Sequence, residues 1–200
     1  MGKELSADYY DGVYSGKIKP NSKPLAYRVS YKLSTYYSAW KIAIGQCAKD
    51  EMIGDLGCGV GQFASMCLAN NRDYRLGIDF SEVAIKQAKE LNPEIADSFK
   101  VGNLLEPEIT KLVKGLDTIY ILEVLEHITN DKELLNSLPK GIKVVFSVPN
   151  YDSAGHVRHF KTFRDVERRY YSCFKSLTYI DSAVVGVKHD ARIFIFSAIK

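Results

Sequence analysis

Between residues 52 and 148 apolar runs and amphipathic stretches take turns. Short runs rich in Ile, Leu, Val and Tyr at about 52–56, 74–78, 98–101, 117–122 and 142–148 alternate with stretches at about 61–70, 81–91, 106–114 and 130–137 whose apolar residues recur at helical spacing. This alternation predicts a parallel sheet with right-handed helical crossovers. Ser81 caps the second of these helices and Asn92-Pro93 ends it. Both ends of the chain depart from the pattern. Residues 25–48 place Tyr27, Tyr31, Tyr36, Trp40 and Ile44 near helical spacing without a proline, which predicts one long helix capping the sheet edge. Residues 171–184 and 190–199 flank Gly186-Val187-Lys188-His189-Asp190 and are expected to pair antiparallel through that short loop.

The first strand runs into Asp55-Leu56-Gly57-Cys58-Gly59-Val60-Gly61, a turn with glycine at alternate positions that opens the next helix. Without a Cβ at these positions the backbone can touch a flat or extended ligand at the carboxyl end of a strand, as nucleotide sites require. The spacing is not that of a pyrophosphate loop, and Asp55 would repel phosphate. It suits a ligand that carries an ammonium and a sulfonium, which describes S-adenosylmethionine. Asp79 ends the next strand twenty-two residues after Gly57, where a carboxylate can accept from both ribose hydroxyls.

Composition narrows the class. Two hundred residues with 46% apolar content predict one domain with a full core. No apolar run reaches the ~18 residues of a membrane span and the amino terminus lacks a signal-peptide core, so a cytoplasmic location and no membrane partner are expected. Cys47, Cys58, Cys67 and Cys173 show no zinc spacing. Residues 1–50 hold eight Lys/Arg against four Asp/Glu and residues 151–200 nine against five, whereas the middle hundred hold ten against fifteen. Basic ends favour an anionic partner, and nucleic acid is the competing macromolecular one.

The chain from about Met52 to about Asn150 resembles the class I S-adenosylmethionine-dependent methyltransferases, including the ubiquinone-biosynthesis O-methyltransferase type. The resemblance rests on the glycine turn, Asp79, Gly102-Asn103 after the third strand and Leu122-Glu123-Val124-Leu125-Glu126-His127 after the fourth. It implies an α/β, Rossmann-like, seven-stranded and mostly parallel sheet with helices on both faces and an antiparallel last strand. Residues 1–50 would form a lid and helix, 51–150 the cofactor-binding core, and 151–200 the acceptor-side insertion and terminal hairpin. The implied cofactor, S-adenosyl-L-methionine, would contact Asp55, Gly57, Cys58, Gly59, Gly61, Asp79, Phe80, Asn103, Leu104 and Glu123. Asn103 replaces the acidic residue that often receives the adenine amino group.

Methyl transfer from a sulfonium needs mainly alignment, worth roughly 7–11 kcal/mol of the barrier, together with a place for the acceptor's proton. His127, with Glu126, is the candidate base. Glu123, Glu126 and His127 also resemble a divalent-metal set that His156 or His159 would complete; three ligands on one turn leave the fourth unplaced, and no metal is assigned. Pro149-Asn150-Tyr151 follows the wrong strand for the base-gripping signature of DNA amino-methyltransferases. Tyr9, Tyr14, Asn150, His156, Arg158 and His159 are the expected acceptor contacts, and an Arg-rich, aromatic wall suits an anionic small molecule. The expected activity is methyl transfer to a hydroxyl or amine of a small molecule. The alternatives are a nucleic-acid methyltransferase and a module that binds S-adenosylmethionine without catalysis.

Overall fold

The computed structural model describes residues 2–18, 27, 29–185 and 190–200. Its strands are β1 (Met52–Leu56), β2 (Asp73–Asp79), β3 (Phe99–Val101), β4 (Thr118–Leu122), β5 (Lys143–Pro149), β6 (Ser176–Val184) and β7 (Arg192–Ile199). They form one sheet in the order β3-β2-β1-β4-β5-β7-β6. The first five pair in parallel, and β7 lies antiparallel between β5 and β6. The helices are α1 (Ala7–Ser15), α2 (Tyr37–Ile44), α3 (Gln62–Ala69), α4 (Glu82–Leu91), α5 (Glu108–Leu112), α6 (Asp131–Ser137) and α7 (Phe163–Tyr170). This is the α/β architecture expected, with all five parallel strands where the apolar runs put them.

Successive strand residues point to opposite faces, so the apolar runs supply two cores at once. Ile119, Ile121, Val144, Phe146, Phe194 and Phe196 pack on one face; Tyr120, Val145, Ile193 and Ile195 pack on the other. Phe146 stacks on Phe196, its partner across β5 and β7, at 5.2 Å between ring centroids.

One expectation needs correction. The long helix over 25–48 is broken: a single 3₁₀ turn spans Tyr31–Leu33, and α2 begins only at Tyr37. Ser34 accepts the Tyr36 backbone N–H at 3.2 Å, a local bond that competes with continuing the helix. Residues 25, 26 and 28 lie outside the described residues. The shortened helix packs on β6 and β7 through the cluster that holds Trp40 and Ala43. Within the expected acceptor-side insertion, α7 forms behind a capping box in which Thr162 and Asp165 exchange bonds. That Thr-x-x-Asp spacing was present in the sequence.

The strand order reverses between β1 and β4, and in such sheets ligands settle in the crevice outside the carboxyl ends of the strands at that point. The glycine turn after β1, Asp79 at the end of β2 and Glu123-Val124-Leu125-Glu126-His127 after β4 all open there.

Candidate active site

Gly57 and Cys58 both donate their N–H groups to the Ile78 carbonyl, at 2.7 and 3.0 Å, which ties the turn to the end of β2. Gly57 has φ +85°, and a Cβ there would stand 2.3 Å from a Val124 methyl, so the turn lies directly against the segment after β4. Asp79 holds the other side. Its Oδ2 accepts from Gly59 N and its Oδ1 from Ser81 N, both at 2.9 Å. Burial raises its pKa to about 6, against the pull of those N–H groups. Asp55, 2% exposed, is raised to about 7 by burial; Tyr74 Oη donates to it at 3.3 Å. A cationic ligand would relieve both buried carboxylates.

The turn after β4 supplies the second half of the site. Glu123 adopts φ +57°, costly for a residue with a side chain. Ser147 on β5 holds it: the Glu123 N–H donates to Ser147 Oγ at 3.0 Å, and that hydroxyl donates to Glu123 Oε1 at 2.9 Å. Glu126 has 0% exposure, and neither carboxylate oxygen has a hydrogen-bond partner among the described residues. Burial first, and then the nearby Glu123 charge, push its pKa well up. His127 Nε2 lies 3.9 Å from Glu126 Oε1, and burial lowers the His127 pKa to about 4.

His156 arrives from the loop after β5. Its ring meets that of His127 edge-on at 4.7 Å, and its Nδ1 lies 3.1 Å from the Tyr151 carbonyl. Glu126, His127 and His156 each bring one ligating atom within 4.8 Å of the others. Both histidine Nδ1 atoms face backbone carbonyls, Gly155 and Tyr151, which leaves both Nε2 atoms for a ligand. Such outer carbonyls orient metal-binding imidazoles, so these residues fit a divalent cation.

The two halves share one cavity of about 590 Å³, in the range of small-molecule sites. Helix α1 covers it. Tyr9, Tyr10 and Tyr14 line the cavity, together with Cys58, Gly59, Phe80, Asn103, Leu104, Tyr27, Tyr36 and Tyr151. Gly61, the remaining glycine of the turn, instead begins α3 and packs toward Asn92 and Ala88. Asn103 also lends its side-chain carbonyl to Leu105 N at 3.0 Å.

Three expected acceptor residues are elsewhere. Asn150 is spent on the sheet edge, where its side chain bonds Asp190 O and Arg192 N. Arg158 clamps the carbonyls of Leu125, Ile128 and Thr129 and pairs with Asp131. His159 is exposed beside Lys132 and Arg168 in a separate groove. Among the described residues no lysine or arginine lines the main cavity, while Glu4, Asp55, Asp79, Glu123 and Glu126 do. The Arg-rich wall of an anionic acceptor site is therefore absent from the described lining. Sequence reasoning also missed Ser147 and Gly155. Their partners are distant in the chain, and no local pattern marks them.

Residues 55–143 match the model of a methyltransferase domain. No curated protein matches the chain. Among solved structures, the cyclase SpnF is 13% identical over 100% of this chain and 99% of its own, with a TM-score of 0.69. Magnesium protoporphyrin IX methyltransferase (ChlM) from Synechocystis PCC 6803, with bound SAM, is 16% identical over 98% of this chain and 93% of its own, with a TM-score of 0.64. The methyltransferase domain of bacterial CtHen1 is 16% identical over 84% of this chain and 100% of its own, with a TM-score of 0.63. At such identities the likeness is one of fold. Because that fold carries a cyclase as well as methyltransferases, the reaction has to be argued from the site. The cofactor that goes with the domain is S-adenosylmethionine.

Proposed function

We propose that this chain, whose residues 55–143 match a methyltransferase domain, is a class I S-adenosylmethionine-dependent methyltransferase acting on a hydroxyl or amine of a small molecule. One observation carries the reading: the glycine turn with Asp79 and the Glu123–His127 turn open into the same cavity. When bound, the cofactor supplies an electrophilic methyl on a sulfonium. Asp79 is assigned to the ribose, Asp55 to the ammonium end, and the glycine turn to close contact with both. The aromatic lid excludes water and fixes the acceptor's approach, which is where most of the rate should come from. His127, neutral at pH 7 because burial depresses its pKa, offers a lone pair for the acceptor's proton beside Glu126.

A second reading has one specific observation behind it. The fully buried oxygens of Glu126, without a hydrogen-bond partner among the described residues, lie near two histidine nitrogens, so Glu126, His127 and His156 would hold a divalent cation, which would supply Lewis-acid activation of the acceptor. Incubation with methyl-labelled cofactor and panels of hydroxyl and amine acceptors tests the activity. Acceptor-dependent release of S-adenosylhomocysteine is expected. Tight binding of S-adenosylhomocysteine with no turnover on any panel would contradict catalysis and leave a binding module.

A further inference from the structure

The helix that covers the cofactor end also touches the candidate base. Tyr14 Oη lies 3.3 Å from where a Cβ on Gly59 would stand, and the Tyr10 ring packs on Phe80 at 5.3 Å. Asp11 Oδ1 accepts from Ser81 Oγ at 2.5 Å and from Val83 N at 3.3 Å, so the lid is bonded to the start of α4. The same Tyr10 then reaches across the cavity. Its Oη stands 2.8 Å from His127 Nδ1. Nearer the amino terminus, Glu4 Oε2 accepts from Thr129 N at 2.8 Å. Residues 4–14 thus join the loop after β2 to the loop after β4.

The position of Tyr10 bears on which imidazole nitrogen is free. His127 Nδ1 has two oxygen neighbours, Tyr10 Oη and the Gly155 carbonyl at 3.1 Å. A carbonyl can only accept, so the tautomer with the proton on Nδ1 serves both oxygens and leaves the lone pair on Nε2, facing Glu126. The other tautomer would set two lone pairs against each other at Gly155. Gly155 itself has φ +84°, and a Cβ there would fall 2.8 Å from Tyr10 Oη and 3.3 Å from His127 Nδ1. The three groups fit together only because residue 155 has no side chain.

We propose that Tyr10 is a positioning residue: the amino-terminal helix, lying over the cofactor end of the cavity, places its hydroxyl on His127 Nδ1 beside the Gly155 carbonyl, and the two oxygens together hold the ring with its Nε2 lone pair toward the acceptor. The assignment rests on the methyltransferase reading for its effect on rate, but not for its effect on the imidazole. It holds whether Nε2 takes a proton or binds a cation, since both need the same lone pair.

The test is Tyr10→Phe, which removes one oxygen and keeps the ring on Phe80. Calorimetry with S-adenosylhomocysteine should give an affinity within about twofold of the parent. Turnover should fall about tenfold, the loss of roughly one hydrogen bond in the transition state. Long-range ¹H–¹⁵N spectra of His127 in the S-adenosylhomocysteine complex should show the Nδ1–H tautomer in both proteins, kept by the Gly155 carbonyl, with the Nδ1–H proton resonance displaced in the variant because one of its two acceptors is gone. Gly155→Ala, which displaces the same hydroxyl from the other side, should displace that resonance as well. An unchanged Nδ1–H resonance in Tyr10→Phe, or unchanged turnover in an active enzyme, overturns the assignment and reduces Tyr10 to lid packing. If the parent turns over no acceptor, the catalytic reading falls, and the spectra still decide the positioning role.

Discussion

Asp79→Asn is the substitution whose consequence the structure specifies most fully. The carboxylate already accepts from Gly59 N and Ser81 N, one on each oxygen, and each oxygen retains a lone pair toward the cavity for a ribose hydroxyl. The amide keeps the shape but has one oxygen. Its NH₂ group would face either a backbone N–H or a hydroxyl that should be donating, so one ribose bond is lost and the other loses its charge. A hydrogen bond to a charged group is worth about 1.5–3 kcal/mol, so S-adenosylhomocysteine should bind about 10- to 150-fold more weakly. Isothermal calorimetry at pH 7.5 measures this, with circular dichroism to confirm the fold. The parent should also lose affinity as pH falls through about 6, where Asp79 takes up a proton in the empty site. Affinity unchanged in the variant, or flat for the parent from pH 7.5 to 5, would refute the ribose assignment.

Three further outcomes follow from the same geometry. If His127 is the base, His127→Ala should cut kcat by roughly 10²–10⁴ with cofactor affinity intact and EDTA without effect; if the cluster holds a cation, EDTA should silence the enzyme and Glu126→Ala should behave like His127→Ala. Arg158→Ala should destabilise the fold by about 3 kcal/mol in urea, because it frees three carbonyls and a partner of Asp131; raised acceptor KM without loss of stability would return Arg158 to the acceptor site. Asp55 and Asp79 titrate in the fold at about 7 and about 6, above the usual ~3.9 of an unfolded aspartate, so their contribution is fully present below about pH 4 and lost as pH rises through 6 to 7. Urea unfolding of the cofactor-free protein at several pH values should therefore show that Asp55→Asn flattens a fall in stability toward pH 7.5; identical slopes would contradict it.

What the sequence revealed and what it hid divide along the range of the interactions. The parallel strands and the glycine turn were legible because burial on two faces and a backbone turn each leave a local signature, in Ile119-Tyr120-Ile121 and in Gly57-Cys58-Gly59. The place of Asp79 at the end of β2 was legible from the apolar run before it. Arg158 was misassigned because an arginine's partners cannot be read locally. Here the guanidinium is used up on the backbone of Leu125, Ile128 and Thr129. No local pattern ties Tyr10 to the imidazole, since its partner His127 lies 117 residues away. The break before α2 was concealed by apolar spacing that continued through Tyr31 and Tyr36 while Ser34 redirected the backbone. His156 was one of two histidines close together, and only the loop's path shows that it, and not His159, faces His127.

The central claim is that the glycine turn and the Glu123–His127 turn are two ends of one reaction chamber. A crystal structure of the complex with S-adenosylhomocysteine addresses it directly. The ribose hydroxyls are expected on Asp79, the amino end toward Asp55, and the sulfur facing the space between Glu126, His127 and Tyr10. A ligand that leaves Asp79 uncontacted, or whose sulfur is turned away from Glu126 and His127, would contradict it.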